Sequence, residues 1–226
     1  MPSLFVTGAG TEVGKTYVSS ILLHQFYKHG LPMSPFKPVI SGYDPLQAST
    51  SDIGLLLSAA GLPVDAAHIE AHCPWRLQAP LAPPNAAKRE GKTLLWDDLL
   101  AACERFIGSQ SHPVLLEGAG GIMSPLTETH TQLDLAKHLG WPVVFVTGSY
   151  LGAISHALSG LHVLHQAGVH VVLTIISESA ASALPLPETA EAIQRHTPFS
   201  TPIHRLYRQP LDRACQNSED MTQHLL

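Results

Sequence analysis

The sequence predicts an α/β fold: a doubly wound, mostly parallel sheet with helices on both faces. Three observations predict it. Short continuous runs of Val, Ile and Leu recur along the chain, segments of helical periodicity separate them, and a glycine-rich turn joins the first run to the first helix. Uninterrupted apolar runs are the pattern of strands covered on both faces. Strands alternating with helices imply right-handed parallel crossovers, which place ligands at the carboxyl ends of the strands.

The elements follow in order. Leu4-Phe5-Val6-Thr7 reads as a strand ending in glycines, and Thr16 to His29 carries Val18, Ile21, Leu22 and Phe26 at helical spacing. A second strand is expected from Met33 to Val39. Ser51-Asp52 before the apolar stretch Ile53 to Ala60 has the form of a capped helix start, since a Ser or Asp oxygen can accept the free amides of a first turn. The proline-rich Pro74 to Lys92 segment reads as an ordered irregular loop, followed by a helix from about Leu94 to Ile107. Further strands are expected at Pro113 to Glu117, Pro142 to Thr147 and Val169 to Ile176, with helices at Gln132 to Leu139 and Gly152 to Ala167. Beyond Pro198 no periodicity marks an element.

Composition narrows the function. With 226 residues, 45% of them hydrophobic, the chain can bury one substantial core, so residues 1–226 are read as one domain. Thirteen basic against eighteen acidic residues give a formal charge of −5, and no Lys/Arg run could neutralise a phosphate backbone, which argues against nucleic acid as a partner. The N-terminal run lacks the basic flank and cleavage site of a signal peptide, and no apolar stretch is long enough to span a membrane. A cytoplasmic protein is expected. Cys73, Cys103 and Cys215 are three in number and far apart, so they read as free thiols.

The chemistry concentrates in a few motifs. Gly8-Ala9-Gly10-Thr11-Glu12-Val13-Gly14-Lys15-Thr16 lies at a strand-to-helix junction, where backbone amides can wrap a phosphate and the helix N-terminus adds partial positive charge. It reads as a phosphate loop and makes the fold P-loop NTPase-like, with Lys15 reaching the β and γ phosphates and the Thr16 hydroxyl on a bridging Mg2+. The usual spacing would put the first glycine at position 9, which is Ala9 here; Gly8 makes the interval one residue longer. Lys37, in Phe36-Lys37-Pro38-Val39, ends the second strand at the same sheet edge and can face a phosphate-transfer site, or stand as a solvated surface lysine. Asp52 can be a magnesium ligand or a first-turn residue favoured by the helix dipole. Glu117 ends an apolar strand and is followed by Gly118-Ala119-Gly120-Gly121; a strand-end cap is the alternative to a metal-ligating carboxylate. The pair His68 and His72 with Cys73 has only a weak claim to zinc, since no further ligand pair has confirming spacing.

Together these motifs resemble the dethiobiotin synthetase family, from Phe5 to about Ile176. The resemblance rests on Val6-Thr7-Gly8 through Thr16, Lys37-Pro38-Val39 with Ser41-Gly42, Ser51-Asp52, Pro80 to Pro84, Glu117 to Gly121, and Leu151-Gly152 with His156. It implies a ligase that uses ATP, CO2 and 7,8-diaminononanoate, with Thr16, Asp52 and Glu117 holding Mg2+ and Lys37 and Lys15 as the catalytic lysines. It implies nucleotide contacts from Glu12, Val13, Gly14, Lys15, Thr16, Tyr17, Asp52, Glu117, Gly118, Ala119, Gly120 and Ser177. Substrate contacts are implied at Thr11 and Ser41, and at Leu151, Gly152 and Ala153 of a partner subunit, hence a homodimer with shared active sites. Tyr150 and Ser155 stand where relatives often carry a lysine and an asparagine, and Ser177 where some use an asparagine to read adenine.

Two other readings share the phosphate loop. A cobyrinate-type amidotransferase would need an added glutaminase domain, for which this length leaves no room. A partitioning-type regulatory ATPase would carry a signature lysine early in the loop, at the position of Gly10.

Overall fold

A computed structural model describes residues 2–197 and 200–225. Met1, Pro198, Phe199 and Leu226, including the proline from which the tail was counted, lie outside the described residues.

Strand β1 (Leu4–Gly8) leads through the glycine loop into α1 (Lys15–Lys28). Then come β2 (Ser34–Phe36), β3 (Val39–Ser41), α2 (Asp52–Ala59), α3 (Ala66–His72), β4 (Trp75–Leu77), α4 (Pro83–Arg89) and α5 (Trp96–Ser109). The second half runs β5 (Val114–Glu117), α6 (Gln132–Leu139), β6 (Val143–Thr147), α7 (Ala153–Gln166), β7 (Val171–Ser177), α8 (Leu186–His196), β8 (Ile203–Leu206) and α9 (Leu211–Asn217). The main sheet has six strands in the order β2-β5-β1-β6-β7-β8, every neighbouring pair parallel.

Alternation across this sheet explains why its strands read as unbroken apolar runs. Leu4 and Val6 of β1 face one layer with Leu115, Val144, Val146 and helix α1, while Phe5 faces the other with Leu116, Val143 and Phe145. Both faces are covered, so no position on the central strands can be polar without a reason. The carboxyl ends of β1, β5 and β6 therefore meet at one edge, and that edge carries the glycine turns.

The expected second strand, Met33 to Val39, is two strands. Proline 38 has no N–H to donate, so the ladder with β5 stops after Phe36. The Lys37 amide donates to the His72 carbonyl at 3.0 Å, and the Pro38 carbonyl accepts from Trp75 at 3.1 Å. From there the chain continues as β3, which pairs with β4 in a separate two-stranded parallel sheet. Lys37 thus sits on the hinge between two sheets.

Pro74 to Lys92 is not an irregular loop either: it contains β4 and α4. Pro83 and Pro84 open α4, where a missing N–H costs nothing because first-turn amides have no intrahelical acceptor, while Pro74 precedes β4 and Pro80 lies between the two elements. The tail also folds. β8 extends the sheet beside β7, and Ala214, Met221 and Leu225 pack with α1. The Gln25 side chain ties this end down, donating to the Glu219 carbonyl and accepting from the Met221 amide. Among the described residues no helix is long and apolar enough to cross a membrane.

Candidate active site

The loop between β1 and α1 is shaped by close approaches. A Cβ at Gly8 would lie 2.5 Å from the Val146 carbonyl oxygen of β6, so the first glycine falls at position 8 because the sheet leaves no room for a side chain there. Glu12 has φ 59 and Gly14 φ 94. A non-glycine residue in the left-handed region is strained, and such strain gathers at functional loops. At Gly14 an added Cβ would come 2.6 Å from Ser177 Oγ, so the buried Ser177 at the end of β7 forms the floor beneath the loop.

A second glycine turn packs against the first. Gly118 donates its amide to the Val6 carbonyl and Ile122 to that of Gly8, each at 2.9 Å. An added Cβ on Gly121 would meet the Gly10 backbone nitrogen at 3.0 Å, and Gly120 needs its φ of 77. Ala119 lies within this turn.

Where the turns meet, four elements deliver one charged cluster. Lys37 Nζ donates to Glu117 Oε1 at 2.6 Å and lies 3.1 Å from Asp52 Oδ2. The Thr16 hydroxyl donates to the same Glu117 oxygen at 2.8 Å. Glu117 is fully buried, and its Oε2 has no hydrogen-bond partner among the described residues. Asp52 is half-exposed and begins α2, whose N-cap Ser51 accepts from the Gly54 amide; it therefore occupies the first turn and reaches the cluster as well. Lys15 is buried and folds back to donate to the Gly10 carbonyl at 2.7 Å.

Burial pushes the Lys37 ammonium toward deprotonation, but the Glu117 and Asp52 carboxylates outweigh it and hold its pKa above the ordinary lysine value. Lys37 in turn holds Asp52 below the usual carboxylate range, with burial opposing. Lys15 goes the other way: burial first, then repulsion from Lys37, bring it down to about 8. Two ionised carboxylates and a hydroxyl are hard oxygen donors of the kind magnesium takes, and the orphaned Oε2 is a lone pair in want of a cation or donor. No group of three or more His, Cys, Asp or Glu that could hold a metal occurs among the described residues, so a cation here would share its remaining coordination with phosphate and water. His68 and His72 are otherwise engaged, with Asp65 and with the Pro35 carbonyl.

The other expected residues spread around this centre. Thr11, Glu12, Val13, Gly14, Tyr17 and Ser177 line an open cavity of about 1110 Å³. Ser41 instead lines a smaller one of about 320 Å³ together with Asp52, and its hydroxyl is buried without a partner among the described residues. Leu151 is 87% exposed on the turn into α7, Gly152 is that helix's N-cap with φ 95, and the Ala153 amide already donates to the Tyr150 carbonyl. The far wall of the large cavity is Glu178, Ser179 and Ala180 after β7, and Arg208, Gln209, Pro210 and Leu211 from the tail; the sequence offers Glu178 and tail backbone as an alternative reader of the base, but not the other side chains of this wall. Tyr17 Oη donates to the Gln209 carbonyl at 3.0 Å, and the Arg208 amide donates to Glu178 Oε2 at 2.9 Å. Pro210, the residue before α9, is a local signal for a helix start within this wall.

A glycine loop between strand and helix at the carboxyl edge of a parallel sheet defines a P-loop NTPase-like fold, and the protein has it. Solved structures agree at the level of the fold. A ParA family ATPase from Chlorobium tepidum TLS superposes with a TM-score of 0.53 at 12% identity, covering 95% of this chain and 88% of that one. A chain of the MinC:MinD cell division protein complex from Aquifex aeolicus gives 0.51 at 11%, covering 96% and 86%.

Sequence relatives narrow the class. A family model described as an AAA domain matches residues 2–206. The ATP-dependent dethiobiotin synthetase BioD of Methylobacterium nodulans is 47% identical over 201 residues, covering 87% of this chain and 89% of its own. Those of Phenylobacterium zucineum and Acidiphilium cryptum are 44% and 38% identical, covering 87% and 89% of this chain and 85% and 91% of theirs. The chain belongs to the dethiobiotin synthetase family, and it is a ligase.

Proposed function

We propose that the protein closes a cyclic urea on 7,8-diaminononanoate with CO2 at the expense of ATP, giving dethiobiotin, ADP and phosphate for biotin biosynthesis in the cytoplasm. One observation carries the chemistry: the Lys37 ammonium lies buried at the junction of the phosphate loop and a carboxylate pair. A second fixed cation beside Lys15 suits a reaction in which an anion attacks an anion.

The reaction divides into three steps. An amine of the substrate adds to CO2 and loses a proton, giving a carbamate. A carbamate oxygen attacks the γ phosphorus, ADP leaves, and a carbamic phosphoric anhydride forms. The second amine attacks the carbonyl carbon, phosphate leaves, and the ring closes. Lys15 and Lys37 neutralise the two anions as they approach and stabilise the transferring group, where charge spreads over its oxygens. Neither lysine needs to form a covalent bond. Thr16, Asp52 and Glu117 would hold Mg2+, which would supply charge neutralisation to the phosphates. Gly118 to Gly120 and residues 12–17 would surround the phosphates, with Ser177 below them; Thr11 and Ser41 would contact the diamine.

Leu151, Gly152 and Ala153 would receive the substrate's distant carboxylate from across a homodimer interface. The exposure of Leu151 suits a residue that a second subunit covers. Since the Ala153 amide is engaged with Tyr150, the Leu151 and Gly152 end of the turn would make that contact. Neither nucleic acid nor membrane is a partner in this reading, in keeping with the net charge of −5.

The decisive assay is ADP release from ATP with the diamine and bicarbonate added singly and together. Release should require both, and the product should be heavier than the diamine by one carbonyl less two hydrogens. Equal ADP release without the diamine would make the protein an ATPase of another kind.

A further inference from the structure

We propose that Lys37 is a placeholder cation: in the nucleotide-free protein its ammonium neutralises the carboxylates that would hold the divalent ion, so metal enters only as Lys37 leaves. The proposal rests on the reading of Thr16, Asp52 and Glu117 as the magnesium ligands and adds a regulation of that site. Metal loading and the release of Lys37 toward the substrate become one event.

Three features carry it. Lys37 Nζ is 2.6 Å from Glu117 Oε1 and 3.1 Å from Asp52 Oδ2, so one ammonium bridges both carboxylates. Glu117 Oε1 also accepts from Thr16 at 2.8 Å, so with Lys37 both lone pairs of that carboxylate oxygen are taken, while the Thr16 oxygen keeps its own lone pairs. Lys37 is only 3% exposed, so its charge is matched from within the protein rather than by water. A magnesium ion about 2.1 Å from Glu117 Oε1 would lie within roughly 5 Å of the ammonium at its present position, a pair of like charges in a desolvated pocket. An ion on the unpartnered Glu117 Oε2 would face the same ammonium across one carboxylate, so the two cations compete for this group.

A long unbranched side chain can make the exchange. When a nucleotide brings its metal, the ammonium is displaced and needs another anion, and the carbamate and γ phosphate supply it. Until a nucleotide arrives with its metal, Lys37 stays on the carboxylates. Divalent metal alone should accordingly bind the free protein weakly, and removing the lysine charge should strengthen that binding.

The test titrates Mn2+ into nucleotide-free protein and reads free Mn2+ by electron paramagnetic resonance, with thermal melts confirming that each variant is folded. Lys37→Met, or Lys37→Gln if the methionine variant does not fold, should bind Mn2+ at least about tenfold tighter than wild type, while Lys37→Arg, which keeps the charge, should not. With a non-hydrolysable ATP analogue present the advantage should shrink to less than about threefold, because the lysine has already been displaced. Equal affinities of the wild type and the neutral variants without nucleotide would overturn the proposal. Glu117→Gln keeps the two readings apart. If it leaves Mn2+ binding to the nucleotide-loaded protein unchanged, the ligand assignment itself fails; if it weakens that binding while Lys37→Met changes nothing in free protein, only the placeholder role fails.

Discussion

The two ends of the proposed nucleotide site are built in opposite ways. At the phosphate end Lys15, Lys37 and Glu117 are 7%, 3% and 0% exposed, and each is held by a hydrogen bond shorter than 3 Å. At the other end the cavity is open, and its wall is backbone and mixed side chains from residues 177–180 and 208–211. Charge that develops in a transition state is stabilised best by donors fixed in a dry site, whereas a base needs only a surface to rest on. The contrast predicts steep mutational effects at one end and shallow ones at the other.

The steepest should be at Lys37. Replacing it with Ala or Gln is expected to lower turnover by about a thousandfold, the loss typical of a preorganised charge in a desolvated site, with nucleotide affinity changed only a few-fold. Turnover and nucleotide binding measured on the same preparation separate the two, and near wild-type turnover would remove Lys37 from the mechanism.

The carboxylates come next and differ from each other. Glu117→Gln takes the charge from a buried pair and should destabilise the fold by about 3 kcal/mol, whereas Asp52→Asn at a half-exposed position should cost under about 1 kcal/mol. Both should raise the magnesium concentration needed for activity. Denaturant melts and magnesium titrations check these effects; equal stability losses would break the contrast between buried and exposed partners.

Lys15 should introduce a pH dependence confined to the phosphate end. Its pKa is brought from 10.5 down to about 8 by burial and by Lys37, so nucleotide-free protein loses this charge as pH rises through about 8. Nucleotide affinity should fall toward about tenfold per pH unit above that point. Stability moves in the opposite sense. The unfolded chain holds the proton more tightly between about 8 and 10.5, so the penalty of the buried ammonium is present below 8 and relieved as pH climbs through that window. Nucleotide affinity that stays flat from pH 7 to 9, or falls equally in Lys15→Met, would contradict this origin.

The smallest effect is expected at the base end. Ser177 offers one rotatable hydroxyl packed beneath Gly14, and the Glu178 carboxylate is engaged with the Arg208 amide, so little is left unpaired by a wrong base. ATP, GTP and CTP should differ in kcat/KM by about tenfold or less. A preference for ATP above about a hundredfold, nearly 3 kcal/mol, would mean that the tail reads the base closely.

The same division governs what the sequence could show. Lys15, Thr16 and the glycines around Glu117 are legible because a backbone bent around phosphate needs particular residues at fixed local spacing. Lys37 is legible as a strand end, but the pattern from Met33 to Val39 runs as one strand through Pro38, the break that aims it, since the proline's missing donor matters only once pairing with β5 is known. The prolines at the start of α4 read as loop for a related reason: a helix start and a breaker look alike without the tertiary fold. β8 is four residues long, and Arg208 to Leu211 reach the cavity only because Gln25, Met221 and Leu225 dock the tail on α1. No local pattern encodes that docking. Ser177 was expected as a nucleotide contact, and its packing under Gly14 depends on the long-range pairing of β6 with β7.

The central claim is that the phosphate end joins ATP to a carbamate, and an oxygen label tests it most directly. If the carbamate oxygen attacks the γ phosphorus and the anhydride then breaks at its carbonyl carbon, turnover with 18O-labelled bicarbonate must pass one labelled oxygen into the released phosphate. Mass spectrometry of that phosphate, with bicarbonate exchange into water controlled, should show a single heavy oxygen per turnover. Phosphate that carries none, under conditions in which the cyclic product is formed, would contradict the account.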